Sequence, residues 1–150
     1  VMLATIADEN RAAAESFRAI DTFASTDPAT VLVVDDDPDI RQLIGLKLWH
    51  AGYSVVIADN GDRALEALRD RTPDLVVLDV MMPGTDGLEV CRRLREDPRT
   101  ADVPVIMMTA KAHSIFVLEG YEAGATSYMT KPFSPRELVA EVESLLTKAS

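Results

Sequence analysis

Val31-Leu32-Val33-Val34-Asp35-Asp36-Asp37 is an apolar run that ends in three carboxylates. The pattern returns down the chain. Leu75-Val76-Val77-Leu78 ends in Asp79, Val105-Ile106-Met107-Met108 ends in Thr109, and the shorter Tyr128-Met129-Thr130 ends in Lys131. A run that is apolar at every position reads as a strand covered on both faces, as in a parallel sheet flanked by helices. Such sheets bind ligands at the carboxyl ends of their strands, near the point where the strand order reverses. Carboxylates, a hydroxyl and an ammonium therefore gather at the edge where this architecture does its chemistry.

Helical patterns fill the gaps between the runs. Asp37-Pro38 supplies an N-cap followed by proline at the first helical position. Ile40, Leu43, Ile44 and Leu48 then recur at helical spacing, with Gly52 as the stop. A second strand over Ser54–Ala58 and a second helix over Gly61–Arg69 follow. The third strand is read as Leu75–Val80, the third helix as Leu88–Glu96 and the fourth strand as Val103–Met108. The fourth helix is read as Ser114–Ala123 and the fifth strand as Ser127–Thr130. Ser134-Pro135-Arg136-Glu137 is a capping box that opens a last helix with Leu138, Val139, Val142, Leu145 and Leu146 on one face. Short connections and right-handed crossovers favour a doubly wound α/β fold, a (βα)5 unit with a five-stranded parallel sheet.

Residues 1–27 stand apart as an N-terminal helical extension and linker, with the globular domain over 28–150. Leu3, Ile6, Asn10, Ala13, Phe17, Ile20 and Ala24 alternate three and four apart, a short heptad seam with Asn10 as a register device. A dimeric coil, an amphipathic helix docked on its own domain and a frayed tail all fit this pattern.

The 150 residues suit one domain, and the apolar fraction of 47% is that of a soluble globular protein. A net charge of −10 argues against nucleic-acid binding by this segment, because phosphate backbones need a basic footprint. Cys91 is the one cysteine, so no internal disulfide forms. No apolar stretch approaches the roughly 18–20 residues of a membrane helix, and Val1-Met2-Leu3 lacks the features of a signal peptide. The expected location is cytoplasmic. Val1 before Met2 leaves open a fragment of something larger as well as a chain that acts alone.

In the flavodoxin-like order 2-1-3-4-5, strands one and three are neighbours, so Asp35 and Asp36 sit beside Asp79. Clustered carboxylates repel, and a hard divalent cation relieves that repulsion. Mg²⁺ prefers oxygen ligands and keeps several waters, which leaves positions for phosphate oxygens. A hydroxyl from Thr109 and an ammonium from Lys131 suit a phosphoryl group at the same place. The chemistry inferred is phosphoryl transfer to a carboxylate.

Five motifs carry a resemblance: Val-Asp-Asp-Asp-Pro at 34–38, Leu-Asp-Val-Met-Met-Pro-Gly-Thr-Asp-Gly at 78–87, Met-Thr-Ala at 108–110, Glu-Ala-Gly-Ala at 122–125 and Thr-Lys-Pro-Phe at 130–133. In this order they resemble the receiver domain of two-component response regulators, chemotaxis regulators among them, over about Val31 to Leu146. The resemblance implies Asp79 as phosphoacceptor. It implies Mg²⁺ (or Mn²⁺) on Asp36, Asp79 and the backbone carbonyl of Met81, with Asp35 acting mainly through a metal-bound water. Thr109, Lys131 and the backbone amides of Met81 and Ala110 would contact the phosphoryl group. Lys131-Pro132 would be a cis peptide, and Tyr128 the aromatic switch that turns inward as Thr109 moves. A histidine kinase or phosphotransfer protein would be the donor. The domain would catalyse only its own phosphorylation and dephosphorylation.

Two features depart from the family pattern, the N-terminal segment and the fourth helix. Ile115, Phe116 and Val117 stand where polar residues are expected, and with Leu118 they cannot all face inward on a helix. They form a candidate interface on the face of the fourth helix, fifth strand and fifth helix, where receivers are read by an output protein, a second copy or the N-terminal segment. Met81 and Lys111, two residues after Asp79 and Thr109, flank the path of an attacking water. Cys91 reads as core filler, and His50 and His113 have no ligand partners at metal spacing. Two rivals remain: a phosphorylation-independent pseudo-receiver that binds proteins, and a haloacid dehalogenase-type phosphohydrolase. The second needs an acid where Met81 stands, and a cap domain as well.

Overall fold

Thr30–Val34, Leu75–Asp79 and Val105–Thr109 are strands buried at every residue, as all-apolar runs require. They are the centre of a computed structural model that describes residues 28–110 and 114–149, without the side chains of 114–116, 148 and 149. The N-terminal heptad reading therefore lies outside the described residues. The elements in order are β1 (Thr30–Val34), α1 (Pro38–His50), β2 (Ser54–Ala58), α2 (Gly61–Asp70), β3 (Leu75–Asp79), α3 (Gly87–Glu96), β4 (Val105–Thr109), α4 (Ser114–Glu122), β5 (Ser127–Thr130) and α5 (Pro135–Ala149). The strands form one parallel sheet in the order β2-β1-β3-β4-β5, the flavodoxin-like arrangement expected from the sequence.

Successive strand residues point to opposite faces, so the sheet has two apolar layers. Leu32, Val34, Val76, Leu78 and Met107 pack with Ala64 and Leu68 of α2 and Val90, Cys91 and Leu94 of α3. Val31, Val33, Val77, Ile106 and Met108 pack with Ile44 and Leu48 of α1 and Leu138 and Val142 of α5. Each fully buried leucine contributes about 2–3 kcal/mol of apolar burial. Cys91 is core filler, as its spacing indicates. Among the described residues no helix is long and apolar enough to cross a membrane.

Caps fix where the helices start. Asp37 accepts from the N–H groups of Asp39 at 2.9 Å and Ile40 at 3.4 Å, and Pro38 follows it. Ser134 Oγ accepts from the Glu137 N–H at 3.3 Å, half of the capping box. α1 stops at Gly52, whose φ of +101° only glycine adopts without strain. β4 begins at Val105 and not at Val103, because Pro104 has no N–H for the ladder and the Val103 N–H turns back to Thr100 O at 3.1 Å. The capping residues of α1 and α3 lie at the same sheet edge as Asp35 and Asp79, and that edge is the site.

Candidate functional site

β1 ends by delivering Asp35 into the fold and Asp36 to its surface. Asp35 is buried and Asp36 exposed. The Asp37 N–H donates to Asp35 Oδ1 at 2.9 Å, and the buried Arg41 donates from Nη1 to the Asp35 carbonyl at 2.9 Å. The chain leaving β1 is thus held from both sides. On the neighbouring strand, Asp79 is also buried, and its Oδ1 accepts from the Met81 N–H at 3.3 Å. Gly87 opens α3 directly against the Asp79 carbonyl oxygen, where any Cβ would collide with it.

Oxygens from Asp35, Asp36 and Asp79 lie within 4.8 Å of one another. This is a hard, all-oxygen donor set beside open solvent, and it fits a small divalent cation such as Mg²⁺. Met81 is 52% exposed, and its backbone N–H lies beside Asp79.

Lys131 faces this cluster from the end of β5. Its Nζ lies 2.8 Å from Asp35 Oδ2 and 3.4 Å from Asp79 Oδ2. Its N–H donates to the Thr109 carbonyl at 2.8 Å, so the register of β4 and β5 aims the side chain. Lys131-Pro132 is cis, as expected. Thr109 is buried at the end of β4, and Ala110 beside it is exposed. Lys111, by contrast, lies outside the described residues.

Burial pushes the Asp79 carboxyl up from 3.8 to about 6, and the neighbouring Asp35 charge adds to the rise. The Lys131 ammonium and the Met81 N–H oppose it. For Lys131, burial alone would lower the ammonium, but the hydrogen bond and charge of Asp35, with Asp79 behind, outweigh it and raise the group above its ordinary value. At Asp79 the repulsion foreseen for clustered acids therefore adds to the larger effect of burial.

Tyr128 is half-buried against the core layer of Met107 and Ala123, and its ring centroid lies 6.4 Å from that of Tyr121. Burial raises its phenol, helped by the Glu119 charge. Of the candidate interface, Val117 is half-buried, while the side chains of Ile115 and Phe116 lie outside the described residues. Leu118 and Tyr121 on the same helix are 57% and 46% exposed.

Three residues with structural roles were missed in the sequence. Arg41 and Arg95 sit on the buried stripes of their helices, one turn from Ile44 and Cys91, and an arginine on such a stripe was the available signal. Arg95 donates to the carbonyls of Gly124 at 2.9 Å, Ala101 at 3.0 Å and Val103 at 2.6 Å. Gly120 carried no signal, because its reason lies in another element.

An acid cluster, a buried hydroxyl and an aimed lysine at the carboxyl edge of a 2-1-3-4-5 sheet define a receiver-type α/β domain. Residues 31–143 match the family model described as response regulator receiver domain, and the chain belongs to that family. It is 48% identical over 119 residues to the phosphate regulon transcriptional regulatory protein PhoB of Pseudomonas aeruginosa, covering 79% of this chain and 52% of that one. It is 46% identical over 125 residues to the transcriptional regulatory protein ResD of Bacillus subtilis, covering 83% and 51%. The chain spans about half the length of the curated relatives it matches. Among solved structures, the receiver domain of the Francisella response regulator 1452 superposes with a TM-score of 0.76 at 34% identity, covering 81% of this chain and 99% of that one. The Vibrio cholerae chemotaxis protein CheY4 gives 0.75 at 33% identity, covering 78% and 98%.

Proposed function

We propose that this chain is a phosphorylation-dependent switch of a two-component phosphorelay, with Asp79 as the acceptor. The observation that carries the reading is the convergence of buried Asp35, Asp79 and Thr109 with Lys131 at one sheet edge. A solvent-facing protein-binding module has no use for a buried acid pair with its own counter-charge, which disfavours the pseudo-receiver.

In the proposed reaction a histidine kinase or phosphotransfer protein presents a phosphohistidine. An Asp79 carboxylate oxygen attacks phosphorus in line, the O–P bond forms, and the P–N bond to the imidazole breaks. Asp36, Asp79 and the Met81 carbonyl, with Asp35 mainly through a water, would hold Mg²⁺, which would supply positive charge to screen the phosphoryl oxygens from the acid cluster. Lys131 adds a fixed ammonium beside Asp35 and Asp79. Thr109 Oγ1 and the N–H groups of Met81 and Ala110 donate to the transferred group. The Met81 N–H exchanges its present acceptor, Asp79 Oδ1, for a phosphoryl oxygen. Thr109 moving toward the phosphoryl group opens space into which Tyr128 turns, and the α4-β5-α5 face with Leu118 and Tyr121 reports the change to an output protein or a second copy.

The unit acts on itself alone, adding and then losing its own phosphoryl group. We place its boundary at residue 28, with 1–27 as a separate extension. The relatives' names describe transcriptional regulation, but the aligned half of each corresponds to the receiver, so the likeness supports the switch and not a DNA contact.

Intact mass after incubation with Mg²⁺ and acetyl phosphate tests the reading, beside an Asp79→Ala control. One added phosphoryl group on the native chain and none on the control is the expected result. No addition with cation binding intact points to dependence on a protein donor. No addition and no cation binding favours the pseudo-receiver.

A further inference from the structure

Gly120 sits inside α4, where glycine is unfavourable by about 1 kcal/mol relative to alanine. Its φ is not in the left-handed region, so backbone freedom does not explain it. The space around it does. A Cβ built on Gly120 would lie 2.9 Å from Tyr128 Cε2, 3.0 Å from Tyr128 Cδ2 and 3.1 Å from Met107 Sδ. The ring of Tyr128 therefore rests directly on the α4 backbone.

The two neighbours differ in their ability to move. Met107 is fully buried in the central sheet, between strands on both sides, and close-packed interiors yield little. Tyr128 is half-buried on the edge strand, with its ring centroid 6.4 Å from that of Tyr121. A methyl at position 120 would displace the ring and not the sulfur.

We propose that Gly120 is a positioning residue for the switch: its missing side chain is the seat on α4 that holds the Tyr128 ring in the resting position seen here, from which it turns when Thr109 moves. This rests on the reading of Tyr128 as the switch given above. Gly120→Ala fills the seat and displaces the ring from that position, whether or not Asp79 carries a phosphoryl group. The acceptor site, built from other elements, is left intact.

Two measurements test this, the first independent of any switching. Tm is measured for Gly120→Ala in the native and Tyr128→Ala backgrounds. Alanine favours the helix, so with the ring gone the substitution should raise Tm, and with the ring present it should lower Tm or leave it level. An equal rise in both backgrounds overturns the proposal.

The second uses 3-fluorotyrosine ¹⁹F NMR, with the Tyr128 signal assigned by Tyr128→Phe. Phosphorylation is followed by intact mass on the same samples, with Mg²⁺ and acetyl phosphate. The expected result is a Tyr128 signal that shifts on phosphorylation in the native chain and is already displaced and unresponsive in Gly120→Ala, while both chains gain the phosphoryl group. The same shift in both chains overturns the seat. No shift in a phosphorylated native chain removes the switch role of Tyr128 and the regulatory part of the proposal with it. No phosphorylation of the native chain counts against the proposed function, and the Tm comparison then decides the seat alone.

Discussion

Lys131 Nζ lies 2.8 Å from Asp35 Oδ2, a contact that joins the last strand to the first turn of the domain across the full breadth of the site. The lysine side chain is 16% exposed and the aspartate 2%. At that depth an ion pair is hard to break, because removing one partner leaves the other charged and unmatched.

Lys131→Ala should therefore destabilise the cation-free protein by roughly 2 kcal/mol or more. Mg²⁺ should recover much of this, since a ligand at about 100 times its Kd adds about 2.7 kcal/mol to the folded state. Urea unfolding with and without Mg²⁺ checks both halves. A variant as stable as the native chain without Mg²⁺ would show that the pair contributes nothing net.

The Asp79 carboxyl, raised from 3.8 to about 6, gives a pH signature. Between these values the folded state holds a proton that the unfolded state has released, so this group's contribution to stability falls as pH rises through the window. Asp79→Asn has no such loss. The Tm of the variant minus that of the native chain should be near zero at about pH 4 and grow to its full value above about pH 6. Saturating Mg²⁺ at pH 7 should narrow the gap. A pH-independent difference would place the cost of ionising Asp79 elsewhere.

Met81 is half-exposed and two residues beyond Asp79. Its thioether side chain is bulky and cannot orient a water as an amide does. Met81→Asn should shorten the lifetime of the phosphorylated chain several-fold, read as loss of the added mass after donor removal. Equal decay rates would mean that water reaches phosphorus by another path.

Arg95→Ala should cost about 2–3 kcal/mol, because one guanidinium serves several carbonyls at once. Acetyl phosphate should still modify Asp79 at temperatures where the variant is folded. Thermal unfolding and intact mass together separate these effects.

The sheet and the clustering of its strand-end residues were legible because each central strand is an unbroken apolar run with a polar or charged residue at its end. Asp35, Asp79, Thr109 and Lys131 needed only the strand order to be brought together. Strand limits were less legible. Val103 looks like the start of β4, and only the missing N–H of Pro104 moves the start to Val105. Arg92, Arg93 and Arg95 look alike in sequence, yet the first two pair with Glu89 in solvent and the third turns inward. The reason for Gly120 is a ring eight residues away on another element, and no local pattern carries that.

Arg95 has a mechanical consequence. Its Nε holds Gly124 O, and its side chain packs where a Cβ on Gly124 would stand, so the turn before the edge strand is bolted to α3. The Thr126 N–H and hydroxyl add bonds to Val105 on the neighbouring strand at 2.8 and 3.0 Å. β5 is thus tied at its Ser127 end to α3 as well as to β4, while its Lys131 end is tied to β4 through the Thr109 carbonyl. A push that starts beside Asp79 therefore meets its firmest resistance at the far end of the strand.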